Sequence, residues 1–536
     1  MAVLILFPCL FLEVTILAQI NVSNLSFCYE GSFDYILENV SFSIDSNWRC
    51  GFVGRNGKGK TTFLNLLLGK YEYEGSISTN VIFDYFPYEI KPEWLELDTV
   101  EVLEKLRPEY EFWKVCRECS LLGVGDDVFY RPFSTLSHGE RTKLLLALLF
   151  SEDNYFLLID EPTNHLDMEA RKAVRDYLKT KKGFLLVSHD RWLLDSCVDY
   201  ILAMNRSSIR IEKGNFSSWW ENKQRQDAYE MAEDSRLRSE IGKLEEAARR
   251  TGAWADKSES TKIGFDPIKE HDRSLSTRSY ISAKTKKMQS QRKNLEQRQN
   301  RAIEEKKGLL KDIEKTEELK LTVLEHFRDP YVHIRNLSVN YPGADEPVFT
   351  GMNLDIAKGE RVILRGANGC GKSSLIKAIL DSDRVDLLGA VRPNNPAEIK
   401  GILEIAPHLK ISYINQDTSF LKGKLDDHIR DSGLDMSLVM TILRKLDFER
   451  VQFTKNMENY SEGQKKKVLI ACSLARPAHL YIWDEPLNYI DVFSRMQIEK
   501  LILDYKPTML LVEHDQTFTE KIGGRVIEFS KENQNA

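Results

Sequence analysis

Two glycine-rich stretches of this sequence have the residue types and spacing of a phosphate-binding loop. Residues 54–62 read GRNGKGKTT, and residues 366–374 read GANGCGKSS. In this pattern backbone N–H groups turn inward around phosphate oxygens, the lysine reaches the β- and γ-phosphates, and the next hydroxyl can bind Mg²⁺. Each stretch follows an apolar run typical of a strand and precedes a run typical of a helix, which is the context that makes the pattern specific. The sequence therefore predicts two sites for a nucleoside triphosphate.

Three further motifs follow each loop in the same order and with nearly the same spacing. They are LSHGE at 136–140 and YSEGQ at 460–464, DEP at 160–162 and 484–486, and SHD at 188–190 and EHD at 513–515. An ordered repeat of four motifs predicts two homologous domains. We place them at residues 16–220 and 330–536, after an apolar extension at 1–15 and on either side of an interdomain segment at 221–329.

The acidic pairs at 160–161 and 484–485 each end an apolar run, as a buried strand would. The first acid of each pair can bind Mg²⁺ through water, and the second can polarise an attacking water molecule. The alternative is that adjacent acids at a strand end only cap the next helix. His189 and His514 each follow a second apolar run. A single histidine is more often structural than catalytic. Because a histidine occupies the same position in both domains, a contact with the γ-phosphate is the favoured interpretation.

Short β-rich runs alternate with helical runs in each domain, which predicts an α/β core with parallel strands. In the first domain we expect strands at 22–27, 48–53, 155–160 and 183–188 and helices at 61–68 and 140–150. The interdomain segment differs from the two domains in its composition. Its ends, 221–250 and 281–327, are dense in Glu, Lys, Arg, Ala and Gln, and the stretch 251–280 holds Gly, Pro, Ser and Thr. The segment therefore reads as a helical hairpin with a loop at 251–280.

Charge is unevenly spread along the 536 residues. The whole chain has 75 Lys plus Arg and 81 Asp plus Glu, a net charge of −6, which excludes a polycation. Residues 242–301 hold 15 Lys plus Arg and 8 Asp plus Glu, a net charge of +7, so the remainder carries −13. A basic hairpin suits RNA phosphates, and a solvated coiled-coil face is the alternative. Trp254, Phe265 and Tyr280 in the loop suit either base stacking or packing between the two helices.

The chain shows no sign of membrane insertion or disulfide bonding. Residues 1–12 are apolar but too few to span a bilayer, and no Lys or Arg precedes Arg49, as a signal peptide would require. We interpret the start as a dispensable extension or as the product of an upstream start codon, and expect the folded part to begin near Ile16. Cys116 and Cys119 form a C-x-x-C pair, which is either a redox or metal motif or part of the scattered cysteine usage of a reduced compartment. We expect a cytoplasmic protein.

The combined motifs resemble the ATP-binding-cassette (ABC) ATPases. That resemblance implies two tandem cassettes that sandwich two ATP molecules head to tail, each ATP touching the phosphate loop of one cassette and the LSxG[EQ]-like signature of the other. In site one, ATP would contact Tyr29, Gly54, Asn56, Gly57, Gly59, Lys60, Thr61 and Thr62 together with Ser461, Gly463 and Gln464. In site two, it would contact Tyr341, Gly366, Asn368, Gly369, Gly371, Lys372, Ser373 and Ser374 together with Ser137, Gly139 and Glu140.

The resemblance also assigns roles. Tyr29 and Tyr341 would stack on adenine, with ordinary strand-end aromatics as the alternative. The catalytic set would be Glu161, Glu485, His189 and His514, and the Mg²⁺ set Thr61, Asp160, Ser373, Gln416 and Asp484.

Two cassettes on one chain around a linker of about 100 residues resemble the ABC-F branch, which acts on ribosomes. The motifs at 133–137, 158–167 and 481–493 look like the Lsa-type antibiotic-resistance members. They imply protection against lincosamides, pleuromutilins and group A streptogramins. The expected partners are the ribosome, its 23S rRNA and the P-site tRNA, with no DNA, no membrane and a monomeric chain. The alternatives are a housekeeping ABC-F translation factor and the ATPase module of a transporter.

Three positions depart from the family pattern. Tyr88 stands in the first cassette where the second has Gln416, which puts Mg²⁺ coordination at site one in question. His138 and Glu462 replace the second residue of each signature, and Glu462 would place an acid near the phosphates of site one. In the linker, RNA or drug-site contacts are expected from Arg249, Arg250, Trp254, Phe265, Tyr280, Lys284, Lys286 and Lys287.

Overall fold

The structure is a computed structural model that describes residues 19–29, 35–152, 155–164, 166–205, 208–260, 319–344, 346–382, 385–387 and 397–529. The chain forms two compact units. One unit consists of Met1–Trp219 and Glu317–Ala536 and contains both cassettes; the other is Trp220–Thr316. The apolar extension at 1–15 and most of the predicted hairpin lie outside the described residues.

The first cassette is built on a six-stranded sheet and a three-stranded sheet. Its strands are β1 (Gln19–Phe27), β2 (Leu37–Asp45), β3 (Arg49–Val53), β4 (Glu74–Ser78), β5 (Ile82–Phe86), β6 (Tyr155–Asp160), β7 (Phe184–Val187), β8 (Tyr200–Asn205) and β9 (Ser208–Lys213). Its helices are α1 (Lys60–Leu67), α2 (Thr99–Leu106), α3 (Phe112–Leu121), α4 (His138–Leu149), α5 (Met168–Thr180) and α6 (Arg191–Cys197). The larger sheet has the order β5-β6-β7-β3-β8-β9, parallel except for β9, and the smaller is antiparallel with the order β2-β1-β4.

The second cassette repeats this plan. Its strands are β10 (Val332–Asn340), β11 (Phe349–Ile356), β12 (Arg361–Arg365), β13 (Val385–Leu387), β14 (Glu398–Ile405), β15 (Leu409–Ile414), β16 (Leu480–Asp484), β17 (Met509–Val512) and β18 (Arg525–Glu528). The helix that follows its phosphate loop spans Lys372–Leu380, and the later ones span Leu425–Asp431, Met436–Lys445, Glu462–Leu474, Val492–Tyr505 and Gln516–Ile522. The parallel sheet has the order β13-β15-β16-β17-β12-β18, and β11-β10-β14 is antiparallel. The predicted α/β fold with two tandem cassettes is confirmed.

Burial on both faces explains why the central strands are almost uninterrupted apolar runs. Residues 184–187 of β7 and 509–512 of β17 are all buried, and Trp483 of β16 is 1% exposed. Helices cover both faces of a parallel sheet, so its strands lack the polar alternation of a half-exposed strand. Parallel strands end at the same edge of a sheet. In the first cassette β3, β6 and β7 therefore bring the phosphate loop, the acidic pair and the histidine together, and β12, β16 and β17 do so in the second.

A single helix, α7 (Phe216–Ser260), leads out of the first cassette into the linker. The expected loop beginning at residue 251 is therefore wrong for its first ten residues, and Trp254 lies on a helix. Alanine and long charged residues at 253–259 are good helix formers, and their propensity outweighs the roughly 1 kcal/mol cost of Gly252. Phe265, Tyr280, Lys284, Lys286 and Lys287 lie outside the described residues. In the part of the chain that the structure describes, no helix combines the length and apolarity needed to cross a membrane.

Candidate functional site: two composite nucleotide sites

Each phosphate loop depends on a glycine that precedes the helix. Gly59 has φ +99°, and a Cβ atom there would lie 2.3 Å from Cγ2 of Ile36. Gly371 has φ +107°, and its Cβ atom would lie 2.7 Å from Cγ1 of Val348. Positive φ angles and close neighbours together exclude a side chain at either position. The lysine that follows lies across its own loop, with Nζ of Lys60 donating a hydrogen bond to the carbonyl of Gly54 at 2.7 Å.

A hydroxyl and a carboxylate meet beside each loop. Oγ1 of Thr61 donates to Oδ2 of Asp160 at 3.1 Å, and Oγ of Ser373 donates to Oδ2 of Asp484 at 2.8 Å. The second oxygen of Asp484, Oδ1, is buried and has no hydrogen-bond partner among the described residues. Paired hydroxyl and carboxylate oxygens are the donors that Mg²⁺ prefers, so these residues fit that ion.

The acid after each aspartate has a strained backbone in both cassettes. Glu161 has φ +51° and Glu485 has φ +48°, in the left-handed region that residues other than glycine rarely adopt. Oε2 of Glu485 accepts hydrogen bonds from Nε2 of Gln416 at 2.9 Å and Nδ2 of Asn488 at 2.8 Å. Nε2 of His514 lies 3.7 Å from Oε1 of Glu485. Strain of this kind persists where the surrounding structure holds a side chain in a required place.

The two acids differ in their electrostatic setting. Burial, followed by the neighbouring Asp160, raises the pKa of Glu161 to about 8. Burial also acts to raise the pKa of Glu485, but His514 and the cations of Lys466 and Lys372 outweigh it, so that pKa lies below its ordinary value. Glu485 is therefore the more readily ionised of the two acids.

The first cavity, of about 940 Å³, is lined by residues of both cassettes. From the first cassette it takes the sequence-predicted Tyr29, Asn56, Gly57, Gly59, Lys60, Thr61, Thr62, Asp160, Glu161 and His189. From the second it takes Ser461, Gly463 and Gln464 of the signature. Residues more than 250 positions apart in sequence thus face one volume, as the head-to-tail arrangement requires.

The second cavity, of about 420 Å³, is lined mainly by the second cassette. The predicted residues that line it are Asn368, Gly369, Gly371, Lys372, Ser373, Ser374, Gln416, Glu485 and His514. From the opposite signature only the unexpected His138 lines it, together with Leu166 and Arg171. The predicted residues outside its lining are Tyr341, Gly366, Asp484, Ser137, Gly139 and Glu140. Ser137 and Glu140 hydrogen-bond each other as the cap of α4.

The two tyrosines expected at adenine each contact the helix after their own phosphate loop. The hydroxyl of Tyr29 lies 2.8 Å from Oγ1 of Thr62, and that of Tyr341 donates to Oγ of Ser374 at 3.3 Å. The ring of Tyr29 also packs edge-on against Phe27 at 5.1 Å and is 43% exposed. A partly exposed ring beside the cavity is available for stacking on a base.

The departures from the family pattern take specific positions. Strand pairing places Tyr88 in register with Gln416, two residues after the ends of β5 and β15. The hydroxyl of Tyr88 donates to Oδ2 of Asp84 at 2.6 Å, and Tyr88 does not line the first cavity. Instead the hydroxyl of Tyr85 donates to Oδ2 of Asp160 at 3.3 Å, a contact that sequence reasoning missed. Since a tyrosine three residues earlier is not part of a phosphate motif, no sequence signal pointed to it.

Glu462 does line the first cavity, but its charge is already engaged. It accepts a hydrogen bond from Oγ1 of Thr418 at 2.6 Å, and Nζ of Lys465 lies 2.9 Å from it. These contacts outweigh the effect of burial and hold the pKa of Glu462 below its ordinary value. The acid is ionised, and its repulsion of a phosphate is partly offset by Lys465.

Comparison with known proteins agrees with this geometry. The family profile described as "ABC transporter" matches residues 37–164 and 349–488, together half of the chain. "ABC transporter F family member 2" of Arabidopsis thaliana is 25% identical over 96% of this chain and 77% of its own length. The chain belongs to the ATP-binding-cassette family, in its ABC-F branch. As a member with two complete cassettes, it binds and hydrolyses ATP.

Two bacterial relatives align with most of this ABC-F chain. "Ribosome protection protein VmlR" of Bacillus subtilis is 25% identical over 94% of the chain and 85% of its own length. "Energy-dependent translational throttle protein EttA" of Haemophilus influenzae is 24% identical over 93% of this chain and 90% of its own length. The fold also matches the archaeal ribosome recycling factor aABCE1, in its crystal structure with the stalk protein aP1. The TM-score is 0.58 at 19% identity, over 95% of this chain and 88% of that one.

Two contacts between the cassettes at this ABC-F site were also missed by sequence reasoning. Nδ2 of Asn56 donates to the carbonyl of Tyr489 at 2.9 Å, and Arg55 forms an ion pair with Asp447. Arg55 and Asn56 belong to the phosphate loop, but their partners Asp447 and Tyr489 lie 392 and 433 positions away in sequence. Only the closeness of the two phosphate-loop residues to a predicted site could have suggested a role.

Proposed function

We propose that this ABC-F protein is an ATP-driven ribosome-protection factor. The observation that carries the proposal is the first cavity, since a nucleotide that fills it would bridge the phosphate loop of one cassette and the signature of the other. Binding would then hold the cassettes together, and hydrolysis would let them part. The named activity of VmlR, together with the charge of the linker, supports the ribosome as the target of this switch.

The proposed chemistry follows from the side chains around each phosphate loop. Lys60 and Lys372 would bind the β- and γ-phosphates, and the hydroxyl–carboxylate pairs of Thr61 with Asp160 and Ser373 with Asp484 would hold Mg²⁺. Gln416 would assist at site two. When bound, that ion would supply positive charge to the phosphates.

The water-activating groups are proposed to be the strained acids. Glu485 would accept a proton from the attacking water, and Gln416 and Asn488 would orient its carboxylate through the hydrogen bonds described above. His514 would contact the γ-phosphate. Glu161 and His189 would take these roles at site one, where burial keeps the acid harder to ionise.

The linker is proposed as the part that acts on RNA. Residues 242–301 carry a net charge of +7 against −13 for the remainder, so their affinity for the ribosome would come chiefly from phosphate contacts and would fall with salt. We propose that the linker reaches the 23S rRNA and the P-site tRNA near the peptidyl-transferase centre. It would there displace lincosamides, pleuromutilins and group A streptogramins. The protein would act as a cytoplasmic monomer.

The second candidate is a translation factor that acts on stalled ribosomes without a drug. The named activity of EttA, at nearly the same identity as VmlR, favours it. Drug tolerance on expression separates the two candidates, because a translation factor would leave tolerance unchanged.

Sedimentation tests the ribosome proposal directly. The double variant Glu161→Gln/Glu485→Gln keeps side-chain size but removes the charge that activates water, so ATP should bind without turning over. We expect the variant to pellet with ribosomes when ATP is present and to stay in the supernatant with ADP. The matched control is the double variant Lys60→Ala/Lys372→Ala, which should not pellet. Pelleting with membrane vesicles instead would favour a transporter module and contradict the proposal.

A further inference from the structure

Arg55 of the first phosphate loop contacts the second cassette in two ways. Its guanidinium pairs with the carboxylate of Asp447, and both side chains are largely buried, at 17% and 28% exposed. Its Cζ atom also lies 5.7 Å from the centre of the Phe493 ring, within the range of a cation–π contact. A residue of the first phosphate loop therefore contacts the first turn of the helix at Val492–Tyr505.

Phe493 in turn contacts the base of the linker helix. Its ring centre lies 6.3 Å from that of Trp219 in an edge-to-face arrangement. Trp219 is 4% exposed, packs against Phe216 at 5.6 Å and lies in the first turn of α7. Arg55, Phe493 and Trp219 thus form a chain of contacts from the first phosphate loop to the first turn of α7, the helix that continues into the linker.

The second site lacks the residues that would form an equivalent chain of contacts. Counted from the shared motifs, Arg55 corresponds to Ala367, Asp447 to Gly123 and Phe493 to Glu169. An alanine and a glycine can form neither the ion pair nor the cation–π contact. The connection is therefore confined to the first site.

We propose that the contact chain Arg55–Phe493–Trp219 couples nucleotide binding at the first composite site, and not at the second, to the base of α7. Filling the first cavity would fix Arg55 between Asp447 and Phe493, and the ordered Phe493 ring would hold Trp219 and the first turns of α7. The second site would be left to hydrolyse ATP without directly affecting the linker. This coupling rests on the proposed ATP sites and does not require the ribosome as partner.

Hydrogen exchange of the full-length protein tests this coupling. Amide exchange of residues 216–225 is measured with and without a non-hydrolysable ATP analogue. We expect the analogue to slow exchange there about tenfold in the parent, as a local contact of this kind would. The slowing should persist in Lys372→Ala, which removes the lysine of the second site, and should be lost in Lys60→Ala. Equal loss in the two lysine variants would overturn the proposal.

Two further variants locate the coupling at the ring. Phe493→Leu keeps the apolar volume but removes the aromatic face, so the analogue should still protect the phosphate loops while protection at 216–225 disappears. The matched control is Glu169→Leu, the corresponding position of the first cassette, which should behave like the parent. Full protection of 216–225 in Phe493→Leu would refute the proposal. If that variant loses nucleotide binding, Trp219→Leu provides the same test, because Trp219 does not line the cavity.

Discussion

A buried ion pair between the cassettes offers the sharpest test of how they are held together. Nη1 of Arg191 donates to Oε2 of Glu499 at 3.0 Å, and Nη2 pairs with Oε1. The two side chains are only 2% and 6% exposed. We consider Arg191→Met, which removes the charge and keeps apolar length, and the double variant Arg191→Met/Glu499→Leu.

The expected magnitude follows from the burial of both partners. Removing one member of a buried ion pair leaves the other charge unpaired in the interior, which lowers the free energy of unfolding by about 3–5 kcal/mol. Lys521 lies 3.9 Å from Glu499 but is half exposed, so it compensates little and we expect about 3 kcal/mol. The double variant leaves no charge behind and should lie within about 1 kcal/mol of the parent, because apolar replacement of a buried pair is often neutral.

The cost of Arg191→Met should also depend on pH. Burial already raises the pKa of Glu499, despite Arg191, and losing the arginine should raise it further. The folded state then binds a proton that the unfolded state has released, so stability falls as pH rises through the folded pKa. We expect Arg191→Met to cost less at pH 5 than at pH 8.

Urea unfolding followed by circular dichroism, at both pH values, measures these differences. The matched control is Gln516→Met, at the position that corresponds to Arg191 in the second cassette, which should change stability by less than about 0.5 kcal/mol. A double variant as unstable as the sum of its single variants would refute the idea that the pair acts as a unit across the interface.

Three further outcomes are expected. Glu485→Gln should lower ATP turnover more than Glu161→Gln, because Glu485 is the more readily ionised acid and has the fuller set of hydrogen-bond donors; equal losses in a steady-state phosphate-release assay would contradict this. Gly59→Ala should abolish nucleotide binding measured by calorimetry, because its Cβ atom collides with a neighbouring side chain at positive φ, and parent-like affinity would show that the loop can move aside. Trp254→Ala/Phe265→Ala should reduce drug protection while ATPase activity and ribosome binding stay near normal; undiminished protection would leave these aromatics no role in it.

Most of the fold and of the two candidate nucleotide sites could be predicted because their signals are local. A phosphate loop needs glycines at fixed spacing, and Gly59 and Gly371 have the positive φ angles that this requires. The apolar runs before Asp160 and Asp484 are buried strands, since a strand covered on both faces has no polar alternation. Repetition of the same order of motifs then specified two copies of one fold.

The rest could not be predicted because it depends on residues that meet only after folding. Arg191 and Glu499 are 308 positions apart and share no motif. Tyr88 aligns with the expected glutamine, but its hydroxyl donates to Asp84. The hydroxyl of Tyr85 instead donates to Asp160, the carboxylate that we propose as a Mg²⁺ ligand. The linker helix continues beyond residue 250, where the loop was expected to begin, because the single Gly252 is a weak helix breaker among good helix formers.

Drug susceptibility of a sensitive host that expresses this protein tests the proposed function most directly. The minimum inhibitory concentrations of lincosamides, pleuromutilins and group A streptogramins should rise, and those of drugs that bind the decoding site should not. The rise should vanish in the Glu161→Gln/Glu485→Gln variant, which cannot cycle. Unchanged susceptibility to all three classes, with the parent protein expressed and active as an ATPase, would contradict ribosome protection.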